Sequence, residues 1–146
     1  FVVNANTTPE PAPANFLEGK TDGQCSYNAV RVPWHIGTDA VVYGDVTSEA
    51  QAQKITAWFR SKTGDDPSKI VSGYKLDGTA TVSYLDPEFV ATLGPAAMGD
   101  PSNQAWLDKI WSYTVAQSKT SAAKEYYAAS LMLQSMIVMS GNYWAP

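Results

Sequence analysis

A mainly α-helical chain carrying one small β-hairpin is the fold class that the sequence predicts. Three observations lead there. Apolar residues recur at helical spacing through most of the chain beyond residue 28. Pro, Asp, Ser and Gly stand at the ends of those stretches, where helices start and stop. Asp77-Gly78 divides two short runs that favour extended structure.

Residues 1–28 read as a long loop. Pro9-Glu10-Pro11-Ala12-Pro13 disfavours helix, because each Pro lacks an N–H and pushes the residue before it toward extended backbone. Gly19 and Asp22-Gly23 add turn signals. A loop of this length in a compact domain is either functional or a linker. From Ala29 to Gly44 the pattern is apolar and helical, with Pro33 near the start and Gly44 as the stop. Asp45-Val46-Thr47-Ser48 supplies N-cap residues for a second helix to about Lys62, whose expected apolar stripe is Ala52, Ile55, Trp58, Phe59 and Lys62. Residues 70–84 are expected to form the hairpin, a unit too marginal to stand without packing on helices. A short, Gly-interrupted helix follows over 87–99. Asp100-Pro101-Ser102 then introduces a helix to about Ser118, carrying Trp106, Ile110 and Tyr113, with Leu107 and Trp111 widening the face. The last helix is expected from about Ser121 to Met139. Its runs Leu131-Met132-Leu133 and Met136-Ile137-Val138-Met139 are apolar all round, which predicts burial on every side and a core completed by other polypeptide.

Composition narrows the function classes. The 146 residues amount to one domain, and 45% hydrophobic against 16% charged residues make it globular rather than disordered. A net charge of −4 argues against nucleic acid, whose phosphates need clustered Lys and Arg. The longest apolar run is broken by Gln134 and Ser135, which argues against a membrane span. One Cys and one His give no metal-site spacing, and Gly94 and Gly99 lack the strand and Lys of a phosphate loop, so no metal or cofactor is expected. Cys25 has no intrachain disulfide partner. The opening Phe1-Val2-Val3-Asn4 carries no initiator Met and no signal-peptide pattern, so the gene product is expected to begin upstream. Five Trp, eight Tyr and four Phe suit a large core, a sugar-binding cleft or both, since these rings pair a flat apolar face with a polar edge.

Two stretches carry a resemblance. The first is Tyr27-Asn28-Ala29-Val30-Arg31-Val32-Pro33-Trp34-His35-Ile36-Gly37-Thr38-Asp39, followed by Tyr43-Gly44-Asp45. The second is Tyr126-Tyr127-Ala128-Ala129-Ser130-Leu131, then Ser140-Gly141-Asn142-Tyr143-Trp144. In order and spacing they resemble glycoside hydrolase family 8. The resemblance runs through essentially the whole chain but covers less than half of a family catalytic domain. It implies that residues 1–146 are the C-terminal part of one catalytic domain, the last portion of an (α/α)6 double barrel, with 1–28 as a long active-site loop and 29–146 as helices plus the hairpin. It also implies a secreted enzyme that hydrolyses a β-1,4-linked glycan (cellulose, mixed-linked β-glucan or chitosan) with inversion. The partner is then an N-terminal portion of the same enzyme carrying the acid Glu.

Inversion requires a carboxylic acid to protonate the leaving oxygen and a carboxylate to activate water on the opposite face, roughly 6.5–9.5 Å apart. Many family members place an Asp base at the position of Asn28. An amide accepts no proton at neutral pH, so two readings stand. Either Asn28 replaces an Asp base, or the base is a Glu in the loop just upstream. Phe16-Leu17-Glu18 before Asp22-Gly23 resembles the loop-base branch, which makes Glu18 the expected general base and Asn28 a residue that holds the water. Without the resemblance Glu18 reads as a solvated loop carboxylate. Glu10, between two prolines, is a weaker candidate. Arg31 matches the family's active-site Arg and is expected to hold the base or bond a sugar hydroxyl. Tyr27, Trp34 and Tyr127 are candidates for lining the sugar subsites, with plain core the alternative for Trp34. His35 stands where an Arg is usual, and is expected to pair with Asp39 one turn on only when protonated. The competing function class is a non-catalytic helical module that binds carbohydrate or protein through an aromatic face.

Overall fold

The computed structural model describes residues 1–120 and 124–144. It is mainly helical. After a short 3-10 turn at Ala29–Arg31, the helices are α1 (Val32–Tyr43), α2 (Val46–Thr63), α3 (Glu88–Ala91), α4 (Leu93–Ala97), α5 (Gln104–Gln117) and α6 (Tyr126–Met139). Further 3-10 turns occupy Pro67–Lys69 and Pro101–Asn103. The expected start of the last helix at Ser121 lies outside the described residues.

Local signals explain most boundaries. Gly44 closes α1 at φ 68°, a left-handed conformation that costs a residue with a Cβ but not glycine. The Asp45 carboxylate then accepts the Ser48 N–H at 2.7 Å and caps α2. Asp66 and Asp100 likewise accept the N–H groups of Ser68 and Ser102 at the two later 3-10 turns. The expected helix over 87–99 divides at Thr92, where α3 ends and α4 begins. Pro95 sits in the first turn of α4, where its missing N–H leaves no bond unmade.

The hairpin appears in another place. Among the described residues the one two-stranded sheet pairs β1 (Val2–Val3) with β2 (Glu10–Pro11), inside the stretch expected to be pure loop. Residues 70–84 turn back on themselves through a single bridge, Tyr74 to Ala80. The turn at Asp77-Gly78 is present, with Gly78 at φ 83° and its N–H on the Lys75 carbonyl at 2.9 Å. A regular ladder fails because the register slips by two residues between Gly73–Thr81 and Ser72–Tyr84, the next pairs along. Tyr74 also bridges to Cys25 on its other side, so this segment ties the loop to the helices instead of forming a free ribbon.

The core gathers Val30, Phe59, Ile70, Tyr74, Phe89, Val90, Leu93, Trp106, Ile110 and Leu131. Helix α1 packs on α2 and α4, and α3 packs on α5 and α6. At α1–α4 the backbones meet at Gly37, where a Cβ would lie 2.3 Å from Ala96 N. Two expected stripes are rotated. Helix α2 buries Ala52, Thr56, Phe59 and Thr63, leaving Trp58 exposed, and α5 buries Trp106, Ile110 and Thr114. Helix α6 is not buried all round in this chain. Ala128, Leu131, Met132, Ser135 and Val138 face the core, while Tyr126 and Leu133 lie open. No helix among the described residues is long and apolar enough to cross a membrane.

Candidate functional site

The site forms where the N-terminal loop meets the turn before α1. Cys25 and Tyr74 exchange backbone hydrogen bonds at 3.0 and 2.9 Å, fixing the chain as it enters that turn. Val30 N–H closes on the Ser26 carbonyl at 2.9 Å, and the buried Val30 side chain anchors the turn in the core. Asn28 and Arg31 therefore project together from one turn. Arg31 donates through Nη2 to Asn28 Oδ1 at 3.1 Å and through Nε to the Asn28 carbonyl at 3.3 Å.

Glu18 arrives from the loop. Asn28 Nδ2 donates to Glu18 Oε2 at 2.5 Å. Both neighbours dictate the amide's orientation: a guanidinium offers only donors and a carboxylate only acceptors, so the carbonyl faces Arg31 and the NH2 faces Glu18. Of the expected site residues, Glu18, Asn28 and Arg31 thus form one bonded row. Its carboxylate end is exposed to solvent. A depression of about 480 Å3 beside the row is lined by Asn28, Arg31, Val32, Leu76 and Glu10. Glu10 sits on β2, and the structure gives it no hydrogen bond to the row.

Tyr27 and Tyr127 form a second group against the same turn. The Tyr127 hydroxyl donates to the Tyr27 carbonyl. The Tyr27 hydroxyl donates to Asp86 Oδ2 and stands 3.4 Å from the Tyr84 hydroxyl. The Tyr27 ring meets Phe89 edge-on at 5.3 Å and Tyr127 at 6.4 Å. Burial first, and then the Asp86 bond, drive the Tyr27 pKa far up, so it remains a phenol across any working pH. Burial also raises Tyr127; the Arg31 charge opposes this, while Glu88 and Glu18 add to it. With Asp86, Glu88 and Glu125 the two tyrosines line a further pocket of about 460 Å3.

Trp34 takes no part in the hydrogen bonds of either group. It packs against the core with its ring 4.3 Å from that of His35, and its buried Nε1 has no hydrogen-bond partner. The expected His35–Asp39 pairing is not made: Asp39 accepts the Ser48 hydroxyl at 2.6 Å instead. Partial burial and then the Arg31 charge push the His35 pKa down, so the ring has no charge at neutral pH with which to hold a carboxylate.

Sequence reasoning missed two carboxylates. Asp22 served only as a turn signal, yet it is buried and accepts the N–H groups of Leu17, Glu18 and Gly19 at 2.7, 3.0 and 2.9 Å. The usual local pattern has Asp bonding to residues after it, so a bond to residues before it carries no familiar spacing. Glu88 is buried with Oε2 unpartnered, and burial together with nearby Asp86 raises its pKa. No cluster of metal-ligating side chains occurs among the described residues.

The chain's relatives share one class of name, that of glucanases. A curated β-glucanase from Niallia circulans is 42% identical over 144 residues, covering 99% of this chain and 34% of the relative. An endoglucanase from Bacillus sp. (strain KSM-330) is 36% identical over 147 residues, covering 100% of this chain and 30% of the relative. Among solved structures, an apo β-1,3-1,4-glucanase from Paenibacillus sp. X4 matches with a TM-score of 0.91 and 41% identity, over 99% of this chain and 37% of that one. The chain therefore spans about a third of the length of the relatives it matches. No family model matches it.

Proposed function

We propose that this chain is the C-terminal part of a family 8 glycoside hydrolase, an inverting endo-enzyme acting on β-1,4-linked glycan outside the cell. The names of the relatives favour a β-glucan over chitosan. A polysaccharide of that size does not enter a cell, which is why we place the enzyme in the secreted class. The acid Glu comes from an N-terminal portion, placed across the glycosidic bond from Glu18 at roughly the 6.5–9.5 Å that leaves room for a water.

The bonded row Glu18–Asn28–Arg31 carries this reading. Asn28 cannot take a proton, but it holds a carboxylate that can. An Asp in its place would set two carboxylates at hydrogen-bond distance and raise the pKa of one, while the amide satisfies Glu18 and Arg31 at once. Asn28 is thus the residue that suits a Glu18 base. Glu18 removes the proton from the attacking water, Asn28 orients base and water, and Arg31 fixes Asn28. Tyr127 and Tyr27 hold the turn and line the sugar subsites beside it.

The test is a pair of substitutions in the complete enzyme. Glu18→Gln keeps shape and loses basicity, so turnover should fall by about 10²–10⁴-fold with substrate binding nearly intact. Asn28→Asp in the otherwise native enzyme should raise the rate little, because it sets a second carboxylate against Glu18. The reading fails if Glu18→Gln turns over normally, or if Asn28→Asp raises the native rate by orders of magnitude. Proton NMR of the first-formed reducing end should report inversion; retention would sink the family assignment.

A further inference from the structure

Asp22 is a buried carboxylate to which the chemistry above assigns no role. It is 4% exposed, although it lies in a loop whose neighbours Phe16, Leu17 and Glu18 all face solvent. Its Oδ2 accepts from Leu17 and Glu18, and its Oδ1 from Gly19. Three consecutive peptide N–H groups, one belonging to Glu18, therefore converge on a single side chain, in the manner of a backbone nest around an anion. Burial works to raise the Asp22 pKa, but these donors, together with the charge of the Phe1 ammonium, hold the carboxyl below its ordinary value.

No core contact holds the exposed Leu17 and Glu18 side chains, so the backbone must be held in another way. Asn15 N–H and Asp22 N–H both bond the Gly19 carbonyl, at 2.9 and 3.1 Å, which closes a compact loop. Asp22 itself sits on a firm seat. The next residue, Gly23, lies so close to Ala12 that a Cβ would stand 2.1 Å from the Ala12 carbonyl oxygen. Glu18 is consequently gripped twice, at its peptide N–H by Asp22 and at its carboxylate by Asn28.

We propose that Asp22 is a positioning residue that sets the reach of Glu18, clamping the loop backbone so that the carboxylate meets Asn28. This inference rests on the reading of Glu18 as the base. Loss of the clamp leaves the base in the chain but away from the water, which lowers kcat while the sugar subsites and KM stay as they are.

The experiment is a double-mutant cycle in the complete enzyme, combining Asp22→Asn and Asp22→Glu with Glu18→Gln. The control is Asp66→Asn, a half-exposed Asp that accepts the Ser68 N–H at 3.0 Å and pairs with Lys69, with no bond to the Glu18 row. A displacement on the order of 1 Å costs up to about 10²-fold, so Asp22→Asn is expected to lower kcat by about 10–100-fold with KM within about twofold. Asp22→Glu keeps the charge and should fold and recover part of that loss. Asp66→Asn should keep native kcat. In the Glu18→Gln background neither Asp22 substitution should lower kcat further, because a clamp with no base to position has nothing left to lose. If Asp22→Asn does not fold, the Asp22→Glu cycle gives the same answer. Native kcat in both Asp22 variants overturns the proposal, and so does an equal loss with and without Glu18. Normal turnover by Glu18→Gln alone refutes the base reading, and with it the clamp that rests on that base.

Discussion

Gly37 is the residue on which the placement of α1, and with it Arg31, depends. A Cβ at that position would lie 2.3 Å from Ala96 N and from Pro95 C, and 2.6 Å from Ala96 Cα. All three are backbone atoms of α4, and none can rotate away. Ordinary contact begins near 3.4 Å, so Gly37→Ala must part the two helices by roughly 1.1 Å locally. Overpacking of this kind costs about 1–3 kcal/mol, and a clash with backbone belongs at the upper end. The same displacement moves the turn that carries Asn28 and Arg31, and a shift of about 1 Å at a reacting group is worth up to about 10²-fold in rate. Gly37→Ala in the complete enzyme should therefore lower both the urea midpoint and kcat. Gly19→Ala, where a Cβ meets nothing within 4 Å, should change the midpoint little. A Gly37→Ala enzyme with native midpoint and native kcat would refute the close approach of α1 to α4.

Three further outcomes are expected. The isolated chain should show no turnover on lichenan, carboxymethylcellulose or chitosan, and should bind a hydrophobic dye through the open Tyr126 and Leu133 face of α6; robust turnover, or a dye-silent cooperative monomer, would contradict this. Glu88→Gln should stabilise the protein at pH 7 but not at pH 4, because a carboxyl whose folded pKa is raised loses stability as pH climbs above its ordinary value of 4.5; equal urea midpoints for variant and native at both pH values would overturn it. Asp45→Ala removes the bond to Ser48 N–H and should cost about 1 kcal/mol in urea unfolding, with no effect on KM.

Helix ends were legible because they are local. Gly44, Asp45 and Asp100 act through bonds that span a few residues, and each acts as its type predicts. Helix faces were less so, for one recurrent reason. A hydropathy reading counts Thr as polar, but in a helix the hydroxyl can return a bond to the carbonyl one turn back. Thr63 bonds the Phe59 carbonyl at 2.8 Å, Thr92 that of Glu88 at 2.9 Å and Thr114 that of Ile110 at 2.8 Å. Each then enters the core as a small β-branched residue, whereas Thr56 of α2 enters it with its hydroxyl unpartnered. The apolar stripe shifts accordingly, and Trp58 is released to the surface, where it packs edge-on against Phe59 and Tyr74. The misplaced hairpin has a different origin. Asp77-Gly78 predicts the turn correctly, but the pairing beyond it is decided by the bridge from Tyr74 to Cys25, a contact of long sequence separation.

The site divides along the same line. Asn28 and Arg31 share one helical turn, so spacing alone brings them together, while Tyr27 beside them points to Asp86 and Tyr84. Glu18 stands ten residues from Asn28 across an irregular loop, and nothing in a periodic reading places the two at 2.5 Å. That distance is a product of Asp22, whose bonds run backward along the chain, and of Gly23, which has no side chain to keep the loop off Ala12. A carboxylate on a solvent-facing loop is ordinarily mobile and solvated. The same carboxylate, held at its backbone by a buried anion and at its tip by an amide that Arg31 has oriented, keeps one position without being buried itself. This separation of support from exposure suits a base that must meet water, and it explains why residues of no evident chemistry surround the one residue proposed to perform it.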